Sequence, residues 1–213
     1  MADNARHELR RRPNQQRSRE RVADICQATM RLIGERGADE VTMSDIAAAS
    51  EMSNSALYRY FPTKQAIIKQ LAVERYDELR ARAAAEAEPG VDPRQRLLAG
   101  LRAYIAEHQA DPYLARLRAA VRASPDLSPL DLDDSLANAR VITERIREVD
   151  PSLADPTLER RVLLVFELLD AIIHLACRTA PNDAVTLIDD FIDIADHHIF
   201  GKAAEPGRAG NAS

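Results

Sequence analysis

The sequence has no tryptophan, only seven glycines and two cysteines, and 4% aromatic residues in a chain of 213. Strands draw on aromatic and β-branched side chains, so this scarcity beside abundant Ala, Leu, Arg and Glu disfavours sheets and favours helices. Few glycines also leave little material for phosphate-cradling loops, and the sequence holds neither a nucleophile elbow nor a metal-spaced Cys/His set. It therefore reads as a non-enzyme with no expected cofactor or metal. The longest uninterrupted apolar stretches, such as Val162 to Phe166, fall far short of a membrane span. The N-terminus, MADNARHELRRRPNQQ, lacks the apolar core of a secretion signal, so a cytoplasmic location is expected. Cys26 and Cys177 sit inside apolar helical patterns, where an intracellular thiol serves as a small hydrophobe.

What is present is 46% hydrophobic and 30% charged residues, enough apolar material for one sizeable core or two small ones. The net charge of −5 conceals an asymmetry. Residues 1–64 hold eleven Lys/Arg against nine Asp/Glu, whereas the remainder carries eighteen against twenty-five. Between residues 6 and 21, Arg6, Arg10, Arg11, Arg12, Arg17, Arg19 and Arg21 face only Glu8 and Glu20, a local excess suited to a polyanion and equally to a solubilising arm. The acidic pI of about 5.6 confines any DNA binding to that end of the chain.

Residues 1–16 show no hydrophobic period and read as a flexible basic arm. From Ser18, the recurrence of Val22, Ile25, Cys26, Thr29, Met30, Leu32 and Ile33 predicts a helix that stops at Gly37. Thr42 with Asp45 three residues on opens a second, short helix, and a third spans Ser53 to Phe61, with Leu57 and Phe61 on one apolar face. Pro62 ends it, because the residue before proline is pushed out of the helical region. A fourth helix from Thr63 to about Glu86 is roughly 35 Å long, enough to couple two domains mechanically. Breaks at Pro89-Gly90, Pro112, Pro125 to Pro129, Pro151 to Pro156 and Pro181 leave further helices near 93–109, 112–123, 131–149, 156–179 and 183–200. The last two are apolar around most of their girth, which predicts a homodimer through them as a four-helix bundle. Residues 203–213 read as a disordered tail.

Three short helices in about 45 residues, the last two joined by a tight turn, form a helix-turn-helix arrangement whose second helix of the pair lies in the major groove. With Leu57 and Phe61 inward, Asn54, Ser55, Tyr58, Arg59 and Tyr60 are left to project outward. Small polar side chains with exposed positive charge suit base edges and phosphates, while an isolated tyrosine pair is also explained by partly buried packing.

The stretch TMSDIAAASEMSNSALYRYFPTKQAI at 42–67 resembles the DNA-binding signature of TetR-type transcriptional repressors. Thr42, Ala47 to Ala49, Ser53, Leu57, Tyr58, Tyr60, Phe61, Pro62 and Lys64 carry the resemblance. It implies an all-α protein: a three-helix reading domain at 17–64, then a larger helical effector-binding and dimerisation domain at 65–202. It also implies that Thr42, Tyr58, Tyr60 and Lys64 touch phosphates while Ser53, Asn54, Ser55 and Arg59 lie near base edges or backbone. The expected partner is a palindromic double-stranded operator with half-sites about one helical turn or a little more apart. Two positions depart from the pattern: Glu51 stands where glycine is common in the turn, and Asn54 and Ser55 stand where lysine and glycine are frequent. A side chain in a left-handed conformation costs about 1–2 kcal/mol, so the turn is open to a different shape.

A repressor must be released, and a small-molecule effector among the C-terminal helices is the economical route. Polar residues on otherwise apolar helices are the candidates: Glu167, Asp170 and His174; Tyr104 and His108; Arg118 and Arg122. If the acidic set lines a cavity, a cationic or hydrogen-bonding ligand is favoured; if the arginines do, an anionic one. A polar seam across a dimer interface accounts for the first set equally well. The competing function is a helical dimer with a small-molecule or enzymatic pocket and no DNA role. It explains the apolar end of the chain but gives no reason for outward tyrosines beside a basic arm.

Overall fold

The computed structural model describes residues 4–85, 91–153 and 155–201. Those residues form α-helices and no strand: α1 Asn4–Arg36, α2 Met43–Ala49, α3 Asn54–Tyr60, α4 Lys64–Ala85, α5 Pro93–Ala110, α6 Pro112–Ala123, α7 Ser128–Val149, α8 Leu158–Ala176 and α9 Pro181–Phe200. A 3₁₀ turn covers Pro151–Leu153. The break at Pro89-Gly90, the expected end of α4 at Glu86 and the tail at 203–213 lie outside the described residues.

Helix starts differ from the sequence expectations where proline or a side-chain cap intervenes. Proline fits the first turn of a helix, since its missing N–H would have no intrahelical partner there. Accordingly α9 opens on Pro181 itself and α7 carries Pro129 at its second position. α8 starts only at Leu158, because the Asp155 carboxylate accepts the Thr157 N–H at 2.7 Å and shapes the approach. α1 reaches back past Ser18 to Asn4, through residues expected to be a flexible arm; Arg, Glu and Gln there are good helix formers, while Pro13 in its interior lacks a backbone donor and works against the helix.

The chain divides into two compact units. The first contains α1 to α4, α6 and α7 up to Asp134. Its core joins Ile25 and Ile33 of α1, Ile46 of α2, Leu57 of α3, Ile67 and Leu71 of α4, and Leu117 and Val121 of α6. Burying each such side chain is worth about 1.5–3 kcal/mol before ordering costs. α6 is fixed to the end of α1 by Arg116, whose guanidinium donates to the carbonyls of Gly34 and, at 3.4 Å, Ile33. Asp131, buried at 4% exposure, gathers the Tyr76 hydroxyl at 2.9 Å and Arg122 Nε at 2.7 Å. Burial, followed by the adjacent Asp131 charge, pushes the Tyr76 phenol above its ordinary range.

The second unit contains α5, α7 from Ser135 onward, α8 and α9. Leu101 and Ile105 of α5, Ile146 of α7, Val165, Leu169 and Ile173 of α8 and Phe191, Ile192 and Ile199 of α9 form its core. The arginines on the outside of α5 pair with aspartates of α9, Arg94 with Asp196 at 2.5 Å and Arg102 with Asp189 at 2.5 Å.

Candidate nucleic-acid interface

The reading head is built from two seven-residue helices, α2 and α3, too short to be stable alone and dependent on caps and on the core beneath them. At the start of α2, Thr42 and Asp45 satisfy each other's backbone donors. The Thr42 Oγ1 accepts the Asp45 N–H at 3.2 Å, and Asp45 Oδ2 accepts the Thr42 N–H at 2.9 Å and its hydroxyl at 2.7 Å. These bonds from Thr42, hydroxyl first and backbone second, hold the Asp45 carboxyl below its usual range.

The turn after α2 is a Schellman closure: the Met52 N–H reaches the Ala47 carbonyl at 2.9 Å and the Glu51 N–H the Ala48 carbonyl at 3.2 Å. This geometry requires a left-handed residue, and Glu51 supplies it at φ 54°. The turn thus keeps the form that glycine would give it, with a glutamate carrying the strain. Ser53 then caps α3, its Oγ accepting the Ala56 N–H at 3.2 Å. Phe61, just before Pro62, turns extended at φ −134°, ψ 117° and closes the helix.

Leu57 at 0% exposure and Phe61 at 7% press α3 into the core, which leaves Asn54, Ser55, Tyr58 and Arg59 facing water. Tyr58 is 52% exposed, which leaves about half of a large aromatic residue in water. Tyr60 departs from the sequence expectation. It is half-buried and packed against the core, because three residues from Leu57 it shares that residue's side of the helix. Lys64 is part-buried, its Nζ donating to the Ala38 carbonyl at 2.7 Å and tying the start of α4 to the loop before α2. Ser44, which the sequence reading passed over, is exposed on α2, and its hydroxyl accepts a bond from Asn54 Nδ2 at 3.2 Å. Its contact with Asn54 spans ten residues, beyond the reach of periodicity within one helix.

Two family models match successive stretches of the chain. Residues 25–71 match the model for bacterial regulatory proteins of the tetR family, and residues 92–202 the model for a tetracyclin repressor-like C-terminal domain. The chain belongs to the TetR family. It is a transcriptional regulator with a helix-turn-helix DNA-binding domain. The HTH-type transcriptional regulator AlkX of Mycobacterium tuberculosis is 30% identical over 149 residues, 69% of each chain. The TetR fold recurs in the fatty acid degradation regulator FadR from Bacillus halodurans, with a TM-score of 0.67 at 17% identity over 87% of this chain and 97% of that one. A transcriptional regulator from Rhodococcus sp. Rha1 gives 0.68 at 22% identity over 84% and 95%.

In this TetR-family chain the residues proposed for an effector fall into different surroundings. Arg118 and Arg122 belong to the first unit, where both approach Asp131, Nε to carboxylate distances being 3.5 and 2.7 Å. Tyr104 and His108 belong to the second unit, with ring centroids 4.0 Å apart and His108 Nδ1 2.9 Å from the Tyr104 carbonyl oxygen. His108 is buried, Glu167 and Asp170 are half-buried, and His174 is exposed, its Nε2 3.2 Å from Arg178 Nη1. Among the described residues no group of three or more His, Cys, Asp or Glu is placed to hold a metal. No described helix is long and apolar enough to cross a membrane.

Proposed function

We propose that this regulator is a cytoplasmic homodimeric repressor that binds a palindromic operator and is released by a small-molecule effector. The observation that carries the DNA-reading part is the outer face of α3: Asn54, Ser55, Tyr58 and Arg59 are exposed on a helix whose Leu57 is completely buried. In this reading Thr42, Tyr58, Tyr60 and Lys64 contact phosphates, and Ser53, Asn54, Ser55 and Arg59 approach bases or backbone. Residues 17–64 then read DNA and 65–202 bind effector and partner.

Dimerisation is supported by what α8 leaves uncovered. Leu164, Leu168 and Leu175 lie four and seven residues apart and are 46%, 51% and 46% exposed, and Ile194 of α9 is 61% exposed. Leucines at that spacing form one stripe, and a second copy covers it as a four-helix bundle. For the effector, the candidates are Tyr104, His108, Glu167, Asp170 and His174 in the second unit and Arg118 and Arg122 in the first; a site lined by the acidic set favours a cationic or hydrogen-bonding ligand, one lined by the arginines an anionic one.

A footprint on DNA flanking the protein's own gene, followed by titration of the protected duplex at rising salt, tests the proposal. Affinity is expected to fall steeply with salt as phosphate-bound counterions are released. Absence of salt-dependent binding to any duplex overturns it.

A further inference from the structure

The three small polar residues at the start of α3 are not equally committed. Ser53 Oγ accepts the Ala56 N–H, and it lies 3.1 Å from Ser55 Oγ, so these two hydroxyls are engaged with the cap and with each other. Asn54 instead reaches across to α2, donating from Nδ2 to Ser44 Oγ at 3.2 Å, with both residues exposed. A primary amide carries two N–H donors and one carbonyl oxygen. Spending one donor on Ser44 fixes the plane of the amide and leaves one N–H beside the carbonyl oxygen. In the major groove a donor beside an acceptor matches adenine, which offers N7 as acceptor and its N6 amino group as donor. Guanine offers two acceptors, and its partner would be an amide turned over, with Oδ1 held by the Ser44 hydroxyl and both N–H groups outward.

We propose that Asn54 reads one adenine in each half-site and that Ser44 is the positioning residue that holds its amide ready. The inference rests on the DNA-reading role proposed above and adds the base and the residue that orients the reader. Because Ser44 restricts the side chain before docking, less rotamer freedom is lost on binding than for an untethered asparagine.

The test is selection of duplexes from a randomised pool by the full-length protein, then titration of the selected duplex with each base changed in turn. The wild type is expected to enrich a palindrome with adenine at one position per half-site, preferred there by roughly 5- to 150-fold. Asn54→Ala is expected to erase that preference alone, leaving the salt dependence and the other positions unchanged. Ser44→Ala is expected to weaken the same preference about three- to tenfold, and Ser44→Thr, which keeps the hydroxyl, to restore it. The unchanged salt dependence separates this role from general damage to the head. A motif that survives Asn54→Ala, or guanine at the affected position, overturns the assignment while DNA reading stands. A Ser44→Ala variant that selects like the wild type removes the role given to Ser44. If the wild type enriches no sequence, the DNA-reading proposal itself fails and this inference falls with it.

Discussion

Replacing Glu51 with glycine is expected to stabilise the protein, although glycine is ordinarily the more costly residue to order. Glu51 sits at φ 54° as the left-handed residue of the Schellman closure after α2. An L-residue there stores about 1–2 kcal/mol that glycine does not. Against this stands the extra chain entropy that glycine loses on folding, about 0.5–1 kcal/mol. The balance is a gain of about 0–1.5 kcal/mol, which for a chain of this size raises Tm by up to about 6 °C. Glu51→Ala keeps the left-handed strain and provides the reference; Glu51→Gln removes the charge without altering the backbone requirement. Thermal unfolding followed by helical circular dichroism, at one fixed protein concentration, measures all three. A Glu51→Gly protein that melts no higher than Glu51→Ala would refute the assignment of strain to this turn.

Other perturbations test the supports of the same head. Leu57→Ala removes the fully buried anchor of α3 and is expected to cost about 2–5 kcal/mol in urea unfolding, with loss of duplex binding. Asp131→Ala strips a buried carboxylate from Tyr76 and Arg122 and is expected to cost about 3–5 kcal/mol, whereas Arg102→Ala, which breaks an exposed pair with Asp189, stays within about 1 kcal/mol. The Asp45 carboxyl, lowered by its bonds from Thr42, stabilises α2 above the ordinary carboxylate range. That contribution is lost as pH falls through the lowered value, so amide exchange in α2 is expected to quicken there in the wild type and much less in Asp45→Asn.

The order of helices, the cap of α2 and the buried face of α3 were legible because each is a local matter. Thr42 with Asp45 signals a capping box three residues long, and Leu57 with Phe61 signals a buried face four residues long. Tyr60 is half-buried instead of fully outward because, three residues from Leu57, it lies close to that residue around the helix. Ser44 and Asp131 were missed for a different reason. Their importance comes from Asn54, ten residues on, and Tyr76, fifty-five residues back, and periodicity within one helix carries no information about partners at that separation. Arg118 and Arg122 stood only as effector candidates for the same reason, since nothing local announces the Asp131 carboxylate that both approach. The left-handed turn was half legible: sequence showed that a glutamate stood at a glycine position, and the backbone bonds show that the geometry prevailed over the residue.

The differing burial of the two thiols gives the protein a built-in chemical handle. Burial, aided by the nearby Glu74 charge, pushes Cys26 up to about 12, so at neutral pH its reactive thiolate is present in roughly one molecule in a hundred thousand. Cys177 stands exposed at the end of α8. A maleimide fluorophore added to the unmodified native chain therefore attaches at Cys177 and spares the reading head, placing one label on each chain without any engineered cysteine.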